Sequence, residues 1–404
     1  MVHDQSQVKR TGDLWFGLAA SVTELDGMPK AKRVLFRRSP FLVSYWNDEE
    51  LIFENYATGK GATAAPIATE VLNFFSGWLS AAALFRHLPQ YSPSSLRAAI
   101  KQLLRYSLLQ RSDRELLPLE RAMPAWKDWN PAAGFLHFTG RDLPFEADLM
   151  RIGRYMEELT HEKAMPVPVK HYPRAAQTML PPPREQGEFT RVLTSRRTWR
   201  RFAPGKIALA DLATLLGLTW GVREWVAVPP LGTFAVKTSP SGGALHPIEA
   251  YLVARDVERI APGIYHYDAT RHRLELLRRG MTRDRMSDYV IGQRWFSEAA
   301  AFVFMTAEFT RTQWKYRYPR AYRVVLTEAG HLCQTFCLVA TWLGLAPFCT
   351  MAMADSKIDR DLGIDGVREG VLYVAGVGKR PAGVDWKTAS LPIDPTGKKR
   401  RLRG

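Results

Sequence analysis

Apolar runs separated by turn-forming clusters divide the chain into elements. Residues 41–46 and 51–56 are rich in β-branched and aromatic side chains and flank Asn47-Asp48-Glu49-Glu50, which predicts a hairpin. Helical apolar spacing follows at 67–75 and around 81–87. Ser92 and Pro93 then open a third helix, as N-cap and first helical residue. Its apolar stripe is Leu96, Ile100, Leu103 and Leu104, while Arg97, Lys101 and Arg105 recur at i, i+4 and i+8 on another face. A short strand is expected at 108–111.

Residues 131–187 break this rhythm. Pro166, Pro168, Pro173 and Pro181-Pro182-Pro183 indicate an extended, partly stiff connection, with one helix at about 146–161. The expected division is therefore a small domain at 1–130, a connecting segment at 131–187, a second domain at 188–385 and a basic tail at 386–404. No internal repeat is visible. In the second half, helical spacing predicts a helix at 209–218. Strands are predicted at 248–253 and 301–305, and a hairpin at 263–267 and 274–277 turns at Asp268. A long helix is expected at 322–343, with Ala329, Leu332, Cys333, Phe336, Cys337 and Ala340 as its apolar stripe and Gly344 as its stop. A last strand at 371–377 ends in Gly378-Lys379-Arg380.

Composition narrows the class. The 404 residues are 46% hydrophobic and 24% charged, enough to bury a core and too apolar for a disordered chain. The most apolar run, 336–348, is too short to cross a bilayer and is broken by Gly344 and Pro347, so no membrane role is expected. The N-terminal stretch lacks a signal-type apolar core. Three cysteines, Cys333, Cys337 and Cys349, have no metal-ligand spacing and suit a reducing cytoplasm; Cys333 and Cys337 read as core, and no metal is expected. A net charge of +16 predicts attraction to something acidic, such as a phosphorylated cofactor, an acidic peptide or nucleic acid.

Two stretches carry candidate chemistry. Ser239-Pro240-Ser241-Gly242-Gly243 is a turn whose paired glycines let backbone N–H groups approach a flat or anionic ligand, because no Cβ intervenes. Arg196, Arg197, Arg200 and Arg201 fall within six residues. Guanidinium groups bind phosphate through paired planar hydrogen bonds, and Thr198 adds a hydroxyl. A solvated basic turn is the competing reading. Neither a GxxxxGKS/T nor a GxGxxG pattern stands where a nucleotide fold needs it.

Four segments occur in order: Arg196-Arg197-Thr198-Trp199-Arg200-Arg201-Phe202, Ser239-Pro240-Ser241-Gly242-Gly243-Ala244-Leu245, Pro262-Gly263-Ile264-Tyr265-His266-Tyr267-Asp268 and Glu328-Ala329-Gly330-His331-Leu332. Over roughly residues 190–380 they resemble the SagB-type, azoline-oxidase-like peptide dehydrogenases of the FMN-dependent nitroreductase superfamily. The hairpin and three short helices before them resemble both a winged helix-turn-helix and the small peptide-clamp domains that bind leader peptides.

The resemblance implies an α+β fold, with a nitroreductase-like FMN-binding domain after a small winged-helix or peptide-clamp-like domain, usually as a homodimer with flavin near the interface. Carried over by position, Arg196, Arg197, Thr198 and Arg200 hold the FMN phosphate and ribityl chain, with Arg380 as a further phosphate candidate. Pro240, Ser241, Gly242 and Gly243 lie along the ring edge. Relatives that oxidise azolines place a Lys-Tyr pair before an Arg-x-Tyr-Arg run for proton transfer. Here Lys315 and Tyr316 precede Arg320-Ala321-Tyr322-Arg323, and Tyr318 can take the phenol's place. The implied activity is oxidation of thiazoline or oxazoline rings to azoles in a ribosomally made precursor peptide, with a cyclodehydratase as possible partner. Arg97, Lys101 and Arg105 then serve as peptide contacts. Two rivals are an NAD(P)H-dependent nitro- or dehydroamino-acid reductase and a flavin-sensing DNA-binding regulator; nucleic acid is the less favoured partner.

Overall fold

The computed structural model describes residues 34–63, 65–144, 146–162, 179–229 and 232–384. Pro166, Pro168, Pro173, the N-terminal stretch and the 386–404 tail lie outside them.

The N-terminal part contains strands β1 (Leu35–Arg38), β2 (Leu42–Asn47), β3 (Glu50–Asn55), β4 (Lys60–Thr63), β5 (Leu79–Ser80) and β6 (Leu109–Arg111). They form two sheets, ordered β5-β1-β6 and β2-β3-β4. The expected hairpin is β2–β3, and Asp48 takes the positive φ that its tight turn requires. Helices Pro66–Phe74, Ala81–His87 and Pro93–Arg105 stand where the apolar spacing put them. Ser92 caps the third by accepting from the Ser95 N–H. Leu96, Ile100 and Leu103 pack with Val71, Phe75 and Leu84 in one apolar cluster, leaving Arg97, Lys101 and Arg105 exposed.

The C-terminal part is organised on an antiparallel sheet. Its chain includes β7 (Glu224–Val228), β8 (Gly232–Val236), β9 (Ile248–Ala254), β10 (Gly263–Asp268), β11 (Arg273–Arg279), β12 (Ala301–Glu308), β13 (Leu345–Thr350) and β14 (Glu369–Lys379). The main sheet runs β11-β10-β9-β12-β14-β13, and β7–β8 is a separate hairpin. Both faces of the sheet are covered, so β12 is apolar along nearly its whole length. Period-two alternation still assigns the faces. Ala250, Leu252, Val303 and Met305 face the helices Leu209–Thr219 and Ala321–Trp342; Tyr251, Val253, Phe302 and Phe304 face Tyr289, Phe296 and Phe348. On that second face Phe296 and Phe348 stack at 4.0 Å. A Cβ on Gly376 of β14 would stand 2.1 Å from the Phe348 ring.

The helix Ala321–Trp342 is long and apolar enough to cross a membrane by length and composition. The expected stripe from Ala329 to Ala340 is buried against the sheet.

The segment after β6 departs from expectation. The sequence pattern puts residues up to 130 in the first domain and 131–187 in a connection with one helix. Instead Pro118–Ala122, the short turn Met123–Trp126 and Ala132–Thr139 form a helical block, followed by Leu149–Glu162. Met123, Trp126, Trp129 and Ala133 join the same core as Phe309, Tyr322 and Val325. Trp126 Nε1 donates to the Val367 carbonyl at 2.5 Å, and His137 Nδ1 lies 2.8 Å from the Tyr322 hydroxyl. Burial drives His137 down to about 3, leaving it neutral in the core. Pro118, Pro124 and Pro131 each stand at the start of one of these packed helical turns.

Candidate functional site

The glycine turn is held by its first residues. Ser239 shares a 2.7 Å hydrogen bond with Thr335 of the long helix. The Ser241 hydroxyl donates to Glu328 of the same helix and accepts the His246 N–H at 2.9 Å. Gly243 then adopts φ +69°, in the left-handed region. A Cβ there would come within 2.9 Å of Tyr316 Oη and 3.0 Å of Lys315 Nζ. Two stretches more than seventy residues apart in sequence thus meet at one backbone atom.

Lys315 ends the helix Phe309–Lys315, which Glu308 caps. Its Nζ lies 5.4 Å from the Tyr316 ring centroid. The main chain at this point is tied on two sides: the Tyr316 N–H donates to Thr312, and the Tyr316 carbonyl accepts from Trp129 Nε1 at 3.0 Å. Tyr318, half exposed, stands 6.1 Å from Tyr316 between ring centroids. The phenol that meets Gly243 is therefore that of Tyr316.

Beside the turn opens a cavity of about 580 Å³, walled by aromatic residues including Trp225, Phe234 and Trp314, with Lys237, His246, Glu249, His266 and Arg311 among its polar lining. Sequence reasoning assigned no role to Lys237, His246, Glu249 or His266. His266 Nε2 lies 3.3 Å from Glu249 and its Nδ1 3.1 Å from Glu275. The hydrogen bond to Glu249 raises His266 to about 9. Burial opposes charge on Glu249, but His266 and Arg311 hold it at about 2. His246 Nε2 donates to the Ala235 carbonyl, and burial with Lys237 nearby lowers its pKa to about 4. Burial also lowers Lys237. The cavity combines a neutral imidazole, a protonated imidazole and a buried amine.

Glu328 is the most perturbed acid at the turn. Burial raises it to about 7, against the Ser241 hydrogen bond and the Lys237 charge. The folded protein therefore keeps a proton there between the ordinary 4.5 and about 7, where the unfolded chain has lost it. Folding stability from this group falls as pH rises through that window. Denaturant unfolding of the parent and Glu328→Gln at pH 5 and pH 8 should show the variant gaining on the order of 2 kcal/mol on the parent at the higher pH. A difference that is the same at both pH values would refute this assignment.

The arginine stretch lies elsewhere on the domain. Trp199 N–H donates to Pro347 of β13 and Ala203 N–H to Lys379 of β14, so residues 196–203 run past the ends of both strands. Arg197, Trp199 and Arg380 line one recess with Thr194 and Ser195, whereas Pro240, Ser241 and Gly242 line another with Arg320, Arg323 and Glu328. Arg197 donates to the Thr194 and Arg196 carbonyls at 2.8 and 2.7 Å. Arg380 lies over the Trp199 ring at 5.2 Å, and Arg200 over Phe296 at 5.9 Å. Thr198 and Arg196 are half-buried in the same stretch. The expected cofactor residues thus fall into two groups, one suited to an anion and one to a flat ring. Their donor sets fit FMN: clustered guanidinium and hydroxyl groups for phosphate, and a turn without side chains for the ring edge.

The N-terminal candidates remain apart from both recesses. Arg105 shares a recess of about 480 Å³ with Lys60 of β4, Glu115 and Glu120, and Arg97 lies over Phe85 at 5.2 Å.

Comparison with known proteins places a family match on the second half. Residues 193–379 match the nitroreductase family. The trifolitoxin-processing protein TfxB of Rhizobium leguminosarum bv. trifolii is 32% identical over 40% of this chain and 44% of its own length. The microcin B17-processing protein McbC of Escherichia coli is 32% identical over 31% of this chain and 48% of its own. The chain spans less than half the length of these two relatives. Among solved structures, a chain of the E. coli microcin synthetase McbBCD complex with truncated pro-MccB17 bound aligns at 20% identity and a TM-score of 0.44, covering 67% of this chain and all of that one.

Proposed function

We propose that the chain, whose residues 193–379 match the nitroreductase family, is an FMN-dependent oxidoreductase of peptide maturation, which oxidises azoline rings to azoles in a ribosomally made precursor. The observation that carries this reading is the convergence of Lys315 Nζ and Tyr316 Oη on Gly243. Bound at the turn, FMN supplies a two-electron oxidant. Aromatising an azoline also removes a carbon-bound proton, so a base must stand beside the ring edge. In this reading Lys315 and Tyr316, which meet the turn at Gly243, take that proton. Relatives bearing the names of trifolitoxin and microcin B17 processing support a peptide substrate.

Arg196, Arg197, Thr198, Arg200 and Arg380 hold the phosphate and ribityl chain in this reading, and Pro240 to Gly243 follow the ring. Because the two groups line different recesses, a homodimer in which one subunit's arginines complete the partner's turn is the arrangement we favour. The deciding experiment is cofactor analysis. Purified protein should be yellow, with one FMN per chain, and Arg197→Ala should lose FMN on gel filtration while its unfolding midpoint with FMN removed matches that of the parent. Colourless protein that takes up no FMN would defeat the reading. Rapid bleaching by NAD(P)H without peptide oxidation would point to a reductase.

The N-terminal module is read as the anchor for the precursor, acting in the cytoplasm beside a cyclodehydratase. The outer edge of β2 carries exposed Tyr45 and Trp46 and can receive an extended peptide by main-chain pairing. Arg97, Lys101 and Arg105 add positive charge for an acidic segment. Removing residues 1–130 would also take Trp126 and Trp129 from the catalytic core, so the sharper test replaces the three basic residues. The triple alanine variant should raise KM for full-length precursor several-fold at unchanged FMN content. An unchanged KM, or nanomolar binding to a specific DNA duplex at physiological salt, would exclude this role.

A further inference from the structure

The three cysteines of the chain lie at 333, 337 and 349, a spacing without a metal-ligand pattern. The fold nevertheless gathers them. Cys333 and Cys337 are buried, one turn apart on the face of the long helix that packs on the sheet. Cys349 comes from β13, in register with Ala375 of β14. The three Sγ atoms all lie within 4.8 Å of one another. We propose that Cys333, Cys337 and Cys349 form a three-thiolate site for a thiophilic divalent cation of the zinc class. This site is independent of the flavin reading.

The spacing suits a shared ion. Three sulfurs each about 2.3 Å from one cation lie about 4 Å apart. A disulfide within the helix is a poor alternative. Side chains at i and i+4 have Cβ atoms about 5–6 Å apart, whereas a disulfide needs about 3.5–4.5 Å. Cys333 and Cys337 therefore point at a common place without being positioned to bridge each other. Soft thiolates select zinc-class ions over magnesium or calcium, which prefer oxygen.

Charge and outer contacts agree with this. Three thiolates around a divalent ion leave one net negative charge, and the Arg196 guanidinium acts on both Cys337 and Cys349. Tyr373 donates its hydroxyl to Cys349 Sγ at 3.3 Å, the kind of outer hydrogen bond that orients a ligand sulfur. Among the described residues no histidine or carboxylate joins the cluster, so a fourth position falls to water or a small thiol. Binding replaces S–H bonds by S–metal bonds and releases the displaced protons to solvent. The ion would join the long helix, which holds the glycine turn, to β13, against which the arginine stretch is docked.

The test uses the full chain as purified, reduced with a phosphine and freed of metal by a chelator. Titration with Cd²⁺ should produce a sulfur-to-cadmium charge-transfer band that saturates at one ion per chain and is displaced by Zn²⁺. Cys337→Ser and Cys349→Ser should each weaken Cd²⁺ binding by about tenfold or more. Absence of the band, or full-strength binding in Cys349→Ser, would overturn the site. Alkylation of the parent decides the matter without any variant. Zn²⁺ should slow iodoacetamide labelling of Cys349, the least buried of the three, and unchanged labelling of Cys349 in saturating Zn²⁺ would equally overturn it.

Discussion

In the proposed reaction, Lys315→Ala and Tyr316→Phe should each slow oxidation of the precursor peptide by about 10²-fold or more, the usual size of a general acid–base contribution, with FMN content unchanged. Retention follows from geometry. Both side chains meet the turn at Gly243, away from the recess that Arg197 and Arg380 line. The loss should appear in kcat, because neither change touches the N-terminal surface proposed to anchor the peptide. Tyr318→Phe is the control, since its ring stands 6.1 Å from that of Tyr316 and is half exposed. It should retain most of the parent rate. Steady-state rates with flavin content measured on the same samples check all three, and parent rates in the first two variants would place the proton transfer elsewhere.

Trp126→Ala destabilises the fold by about 3–5 kcal/mol, the range for truncating a fully buried large aromatic. Trp126 is fully buried, in edge contact with Trp129 and Phe309 at 5.4 and 4.9 Å and tilted against His137 at 5.0 Å. Alanine leaves a cavity among these rings and strips the Val367 carbonyl of its donor. Denaturant unfolding should show a lower midpoint with little change in slope. A loss under about 1 kcal/mol would mean that the helical block is not part of the cooperative core.

Much of this fold was legible because it rests on local signals. The Ser92-Pro93 start, the hairpin around Asp48 and the apolar stripe of the long helix are each specified by neighbouring residues. The Gly-Gly turn stood out by its missing side chains and the Lys315–Tyr316 pair by resemblance, and the fold brings the two together. What escaped depended on distance. Glu249, His266 and Lys237 are ordinary strand and loop residues until β9 and β10 pair and enclose them in one cavity. The cysteines converge only once β13 lies against the helix. Trp126 and Trp129 fall within the expected first domain, and they join the second core only once the helical block packs against Phe309 and Tyr322. Period-two alternation of Glu249 with the buried Ala250 did carry a hint, since a lone acid on a central strand needs a partner.

The hydrogen bond from Trp129 to the carbonyl of Tyr316 bears on how such proteins can be recombined. A chimera that imports a new recognition module by cutting at residue 130 would inherit a foreign support for its own proton-transfer pair. The joint that respects the architecture falls between Arg111, where the N-terminal sheet ends, and Pro118, where the helical block begins. In the proposed reading, grafts made there would exchange the choice of peptide and leave the reaction centre with its native scaffold.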